Sequence, residues 1–293
     1  MATHNTMKTY AVAFTLCIVC SFFVSSAAIL LKPRQIMNRE LDIKKNLLLT
    51  SGLLQDADAE RENIQKAFRQ VEAVLVDLQS GELVENIDPD DFEVIKATRD
   101  PAARYMISAA KDKAKIKTRA KYARVYFVKT VSVIRQTPMV PAPAGNHETS
   151  SVRKQRVPED FTLIILPVYG KGLWSTLYGF LALEKDTLTV RGLTFYQHGE
   201  TPGMGGEVDN PKWRAQWPGK TVFDEDWRPN IRLVKGGVNP ALRDAIHQVD
   251  ALSGATFTSR GVENLLHYWL GEDGFGPFLD KLRRRHNGQG GTE

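Results

Sequence analysis

The sequence predicts an α+β protein: one N-terminal transmembrane helix, followed by a soluble domain in which helices flank a twisted antiparallel sheet. Three observations carry this. An uncharged run of 23 residues, Thr9 to Leu31, stands near the N-terminus. Between residues 160 and 200, β-rich segments alternate with glycine turns. Helical periodicity then returns only close to the C-terminal end. The composition agrees: 293 residues with 42% hydrophobic and 25% charged side chains and a mean hydropathy of −0.29 exclude collagen-like, disordered and polytopic membrane classes. Two cysteines in a chain of this length are not its main source of stability. All five Trp and 19 of the 22 Gly lie after residue 150, so the two halves serve different purposes.

The run Thr9 to Leu31 is long enough to cross a hydrocarbon core of about 30 Å. A cleaved signal peptide is the rival reading, because Ser26, Ala27 and Ala28 are small. Against it, Lys8 is the sole lysine ahead of the run, the run exceeds a usual signal h-region, and Lys32-Pro33-Arg34 follows as an interfacial stop. Cys17 and Cys20 lack the small preceding residues of a lipid-attachment site and read as apolar residues within the membrane. The flanking charge (Lys32, Arg34, Arg39, Lys44, Lys45 against Lys8) would keep the large domain in the cytoplasm.

Residues 35 to 50 read as a further helix, ended at Ser51-Gly52. A second helix is expected from about Asp58 to Gln79, with Ile64, Phe68, Val71, Val74 and Leu75 on one face and Ser80-Gly81 as its stop. Asp88 to Asp91 is a turn. Lys111, Lys113, Lys115, Lys117, Arg119, Lys121, Arg124 and Lys129 face one acid, Asp112; a solvated face beside the strand Ala123 to Ile134 is favoured over a nucleic-acid patch. Residues 138 to 158 form a linker or exposed loop. Strands follow at 161–170, 175–186 and 187–200, and helices at about 259–270 and 277–285. The expected organisation is therefore an anchor (1–34), a membrane-proximal helical and mixed region with linker (35–158), and a strand-rich domain with C-terminal helices (159–293).

Two segments concentrate the chemistry. Tyr196 to Glu207 (YQHGETPGMGGE) is a Gly-rich turn whose backbone amides can approach a ligand. Asp250 to Ser259 (DALSGATFTS) places Thr256 in a short loop just ahead of a helix N-terminus, a spot suited to a phosphate. The plain alternatives are an ordinary turn and an ordinary N-cap at Thr258 or Ser259. His198 and Glu200 have no second His or Cys at metal-ligand spacing, and His247 and His267 stand as isolated helix residues. There is no nucleophile elbow, P-loop or soluble CxxC pair.

At these residues the sequence resembles a known family. Asp250 to Thr256 resembles the D-x-x-S/T-G-A-T flavinylation motif, and His198 to Gly206 the HGETPG-x-GG segment of the same FMN-binding domain. With Leu41 to Leu53, Tyr169 to Leu183 and Asn210 to Lys220, they resemble the C subunit of the sodium-translocating NADH:quinone reductase, from the membrane helix to the C-terminal helix. Met204 stands where that family usually has Leu, and the 111–129 stretch has no matched counterpart.

The resemblance makes 159–293 the FMN-binding domain and implies FMN attached through its phosphate to Thr256 by a flavin transferase. Asp250 and Ser253 would belong to the signal the transferase reads; these two with Gly254 and Ala255 would be cofactor-binding residues around Thr256, and Glu200 and Thr201, with neighbouring backbone, would contact the flavin. It implies a single-pass protein of the bacterial inner membrane with the FMN domain on the periplasmic side, against the charge count, which is weak for one helix before a long domain. Implied partners are the other members of a complex of six subunits, the transferase during maturation, and membrane lipid, but no nucleic acid. Without a Rossmann fingerprint or an iron-sulfur cysteine set, the chain is not expected to oxidise NADH alone. The alternatives are the G-type flavin subunit of the related Rnf electron-transport complex and a non-redox membrane scaffold.

Overall fold

The structure is a computed structural model that describes residues 2–55, 58–129, 155–286 and 288. Its first 50-residue element, helix α1 (Ala2–Ser51), joins the anchor and the helix expected over 35–50 into one. Pro33 lies inside it. A proline removes one backbone donor, and no glycine or further proline follows until Gly52, so nothing else in the sequence stops the helix. At Gly52 (φ +73°) a left-handed residue ends it, with Gly52 N donating to Leu49 O and Leu53 N to Leu48 O. The part around Met7–Ser51 is long and apolar enough to cross a membrane. Met1–Lys44 and Lys45–Glu293 form two separate compact units, and the rest of the fold belongs to the second.

The helix expected over 58–79 is replaced by a short helix, α2 (Arg61–Phe68), and a strand, β1 (Val71–Asp77). The apolar residues there satisfy a helical period locally. Three valines in VEAVLVD, however, suit a pleated surface, and the whole strand pairs with β4 (Tyr122–Lys129), from Val71↔Val128 to Asp77↔Tyr122. The Ser80-Gly81 stop survives as the turn after β1, where Gly81 N bonds Asp77 O and Asp77 Oδ1 accepts from the Gln79 and Ser80 amides. The Asp88 turn is present, with Asp91 N on Asp88 O.

Three short elements follow: α3 (Val94–Arg99) and the paired β2 (Arg104–Met106) and β3 (Thr118–Ala120). The basic stretch 111–129 is not one solvated face. Arg119 is 2% exposed, lies 4.5 Å over the Tyr105 ring and donates Nη1 to Ala120 O. Lys111 pairs with Asp273, Arg124 donates to Phe92 O, and Lys129 pairs with Glu72. The expected linker lies outside the described residues as far as residue 154. Beyond it, Gln155 accepts from Leu75 N and donates to Ile87 O.

Strands β5 (Phe161–Lys171), β6 (Thr176–Glu184) and β7 (Val190–Gln197) match the expected segments. They complete an antiparallel sheet of order β1-β4-β5-β6-β7. This sheet crosses the boundary drawn at 158/159, since β4 and β5 are hydrogen-bonded neighbours. Then come α4 (Pro211–Arg214), the parallel pair β8 (Arg232–Val234) and β9 (Gln248–Asp250), helix α5 (Thr256–Trp269) and helix α6 (Gly276–His286).

Alternate residues of the central strands, Ile164, Leu166, Val168, Leu181 and Leu193 among them, join the core under α5 and α6. Helix α5 contributes Val262, Leu265, Leu266 and Trp269, and Trp269 Nε1 donates to Tyr169 O at 2.7 Å. A Cβ on Gly261 would lie 2.5 Å from Lys171 O, so the helix backbone rests directly on the end of β5. On the other face of β7, Gly192 meets Thr50 O, and the Thr194 hydroxyl meets that of Thr50, which docks residues 45–51 there. The consequence for function is positional: the start of α5 lies where β5 ends and the 172–175 turn begins.

Candidate functional site

Helix α5 begins earlier than its expected N-cap at Thr258 or Ser259. Ala255 is the N-cap residue and makes no side-chain cap bond, so Thr256 is the first helical residue rather than a loop residue. The reason is local. Ser259 Oγ reaches back, accepting from Leu252 N at 2.9 Å and bonding Ala255 O at 3.0 Å, and thereby closes the 252–259 turn. The Thr258 hydroxyl is drawn elsewhere, to Glu200 Oε2 at 2.7 Å. With no side chain capping them, the first-turn amides present the positive end of the helix to whatever sits at Thr256.

Asp250 is a knot in the approach to this turn. Its N donates to Gln216 Oε1, its carbonyl accepts from Trp213 Nε1, and its Oδ1 accepts from Val238 N at 2.7 Å. Ser253 and Gly254 are exposed, Ala255 is buried and Thr256 is half-buried. Gly254 has φ +68° and faces Met204.

The other segment wraps against the same helix start. Thr201 is exposed, and its carbonyl accepts from Met204 N and Gly206 N, forming the TPGMG turn. Glu200 is 5% exposed. Its Oε1 accepts from Trp174 N (3.0 Å) and Ser175 N (3.2 Å), and its Oε2 from Leu173 N (3.2 Å) and Thr258 Oγ1. Burial pushes its carboxyl up, but the bonds from Thr258, Ser175, Trp174 and Leu173 outweigh that and hold it below the usual carboxylate range. His198 Nε2 pairs with Asp209 Oδ2 at 2.7 Å, which raises the imidazole above its ordinary value despite partial burial; its Nδ1 accepts from Glu200 N.

The structure thus gathers Thr256, Ser253, Gly254, Thr201 and Glu200 at one helix start, but turns the Glu200 and Asp250 carboxylates inward to backbone amides. Two features are absent from the sequence-based candidates: the bond of Thr258, expected only as an N-cap, to Glu200, and an exposed apolar rim of Leu173 and Trp174 on the β5–β6 turn, Met204 on the glycine turn, and Phe257 beside Thr256. A Leu-Trp pair in a tight turn was the available signal. His247 and His267 meet Thr221 and Ile231 O respectively.

The FMN-binding domain family matches residues 172–271, which span the rim and the whole of α5. The C subunit of the Na(+)-translocating NADH-quinone reductase of Pseudomonas aeruginosa is 45% identical over 281 residues, covering 96% of this chain and 97% of that protein. This chain belongs to that C-subunit family. The corresponding protein of Yersinia pestis is 44% identical over 94% of this chain and 92% of that one. The crystal structure of Shewanella oneidensis NqrC has a TM-score of 0.67 at 33% identity and covers 84% of this chain and 97% of that one. Within the NqrC family, this chain therefore carries the fold, the antiparallel sheet and the N-terminal apolar helix together.

The residues present fit an FMN phosphate. An uncapped helix start offers donors, a threonine hydroxyl stands within that first turn, and the rim supplies apolar surface of the kind a flat ring system covers.

Proposed function

We propose that this chain carries FMN joined through its phosphate to Thr256, and serves as the electron-transferring flavin subunit of a complex that oxidises NADH, reduces ubiquinone and exports sodium. The observation that carries the attachment is the position of Thr256 as first residue of a helix whose N-terminus has no side-chain cap. A phosphoester there is stabilised by amides and dipole, by about 0.3–1 kcal/mol in exposed settings. Bound flavin supplies the one-electron and two-electron chemistry, so no general base is required. The chain's own residues bind and orient: the α5 start holds the phosphate, Gly254 and the backbone around Thr201 line the approach, and Leu173, Trp174, Met204 and Phe257 shield the ring. Asp250 and Ser253 shape the turn that a flavin transferase reads.

The anchor is proposed to lie in the inner membrane, in contact with lipid, with Lys45–Glu293 in the periplasm. Similarity to NqrC proteins at 44–45% identity over nearly the whole chain favours the sodium-pump C subunit over the G-type Rnf subunit. One experiment addresses attachment and side together. The full chain is co-expressed with a flavin transferase that is either exported or retained in the cytoplasm, and intact mass is measured. Flavin should be added only with the exported enzyme and be absent from Thr256→Ala. Unmodified wild-type chain beside an exported, active transferase would refute the attachment; modification by the retained enzyme would refute the topology.

A further inference from the structure

Glu200 stands out once the site is assembled, because its carboxylate joins three segments that are distant in sequence. It takes the amides of Leu173, Trp174 and Ser175 from the β5–β6 turn and the hydroxyl of Thr258 from the first turn of α5, while its own backbone begins the glycine turn. Two glycines make room for it. A Cβ on Gly172 would lie 2.6 Å from Glu200 Oε1, and one on Gly205 would lie 2.6 Å from Thr258 Oγ1 and 2.9 Å from Glu200 Oε2. At least these two glycines therefore admit the protein's own carboxylate rather than a ligand.

We infer that Glu200 is a positioning residue: a buried clasp that holds the Trp174 turn against the first turn of α5, so that Thr256 is presented in one geometry and its flavin is held in one orientation. This rests on the proposed attachment at Thr256, which lies two residues from Thr258 on the same turn. The three amides converge on one carboxylate as a nest does on an anion. Charge-assisted bonds of this kind are stronger than neutral ones. Without the hydroxyl of Thr258, the helix start loses its only side-chain bond to Glu200 among the described contacts. The clasp then still holds the Trp174 turn but no longer the helix.

Thr258 offers the clean test, because valine matches its shape without the hydroxyl and serine restores the hydroxyl. Full-length wild type, Thr258→Val, Thr258→Ser and Glu200→Gln are each flavinylated by the exported transferase. Initial rate of flavin incorporation and the visible circular dichroism of the attached flavin are read, with thermal melting as the fold control. The expected result is a rate at least about fivefold lower for Thr258→Val and Glu200→Gln, an altered flavin dichroic band in whatever product forms, and recovery of both in Thr258→Ser. Wild-type rate and dichroism in Thr258→Val would overturn the clasp, as would equal loss in Val and Ser. Should wild type itself take no flavin, the attachment reading fails, an outcome that no behaviour of the Thr258 variants can imitate.

Discussion

Glu200 accepts from three consecutive amides and a hydroxyl while almost wholly buried, and that makes its ionisation part of the fold. Its pKa is depressed in the folded chain, so its stabilisation is complete above the unfolded carboxylate value, about pH 4.3, and is lost as pH falls through the lower folded value. Glu200→Gln should cost about 1–3 kcal/mol near neutral pH, from amides left without a full acceptor. In urea titrations, the gap between wild type and variant should narrow steadily below about pH 4.3; a gap that stays constant to acid would mean the carboxylate is not ionised in the native state. Little of this was legible in the sequence. Glu200 is a reasonable flavin contact when only the HGETPG turn is in view, because its partner Thr258 lies 58 residues away. Thr256 as the candidate attachment residue is legible in the sequence, since the motif around it is contiguous.

At the scale of elements, helix α5 connects core and site. Val262, Leu265 and Leu266 are fully buried, and Gly261 lets the helix backbone reach Lys171 O. Leu265→Ala should lower stability by about 2–5 kcal/mol, measurable as a fall in the urea midpoint without a change in slope. An effect within about 0.5 kcal/mol would show that the α5 face is not packed as described. The amphipathic pattern announced this helix, but not its start. Thr258 and Ser259 are good N-cap types, yet both hydroxyls are engaged in other bonds, and Ala255 takes the cap position. Strand β1 is the complementary case: its residues carry a passable helical period, and antiparallel pairing with β4 overrides it. The tryptophans divide likewise. Trp217 and Trp269 are core residues and Trp213 ties down Asp250, so that Trp174 is the one exposed at the site.

For the molecule as a whole, the sheet decides which piece of chain is a domain. The FMN-binding match begins at Gly172, but β6 and β7 are joined through β5 to β4 and β1. Residues 159–293 alone would expose the β5 edge and the apolar residues that β4 and β1 cover, a liability for solubility and stability. Lys45–Glu293, the compact unit, should therefore give a dispersed amide NMR spectrum and a cooperative melt, whereas residues 159–293 should aggregate or melt without cooperativity. A cooperative melt of the shorter piece would show that β1 and β4 are dispensable.

The sequence by itself determined the features written in contiguous residues: the uncharged helix, strands β5 to β7 with their glycine turns, and the SGAT segment with its resemblance to the NqrC family. Each depends on neighbours a few positions apart, where period and turn chemistry act. Only the tertiary structure decided that residues 71–77 are a strand, that Arg119 is buried, that α5 starts at Thr256, and that Glu200 closes on Thr258. Those outcomes depend on pairing and burial between distant segments. There a buried carboxylate must find donors wherever the fold supplies them, because leaving it unpaired costs more than any local preference provides.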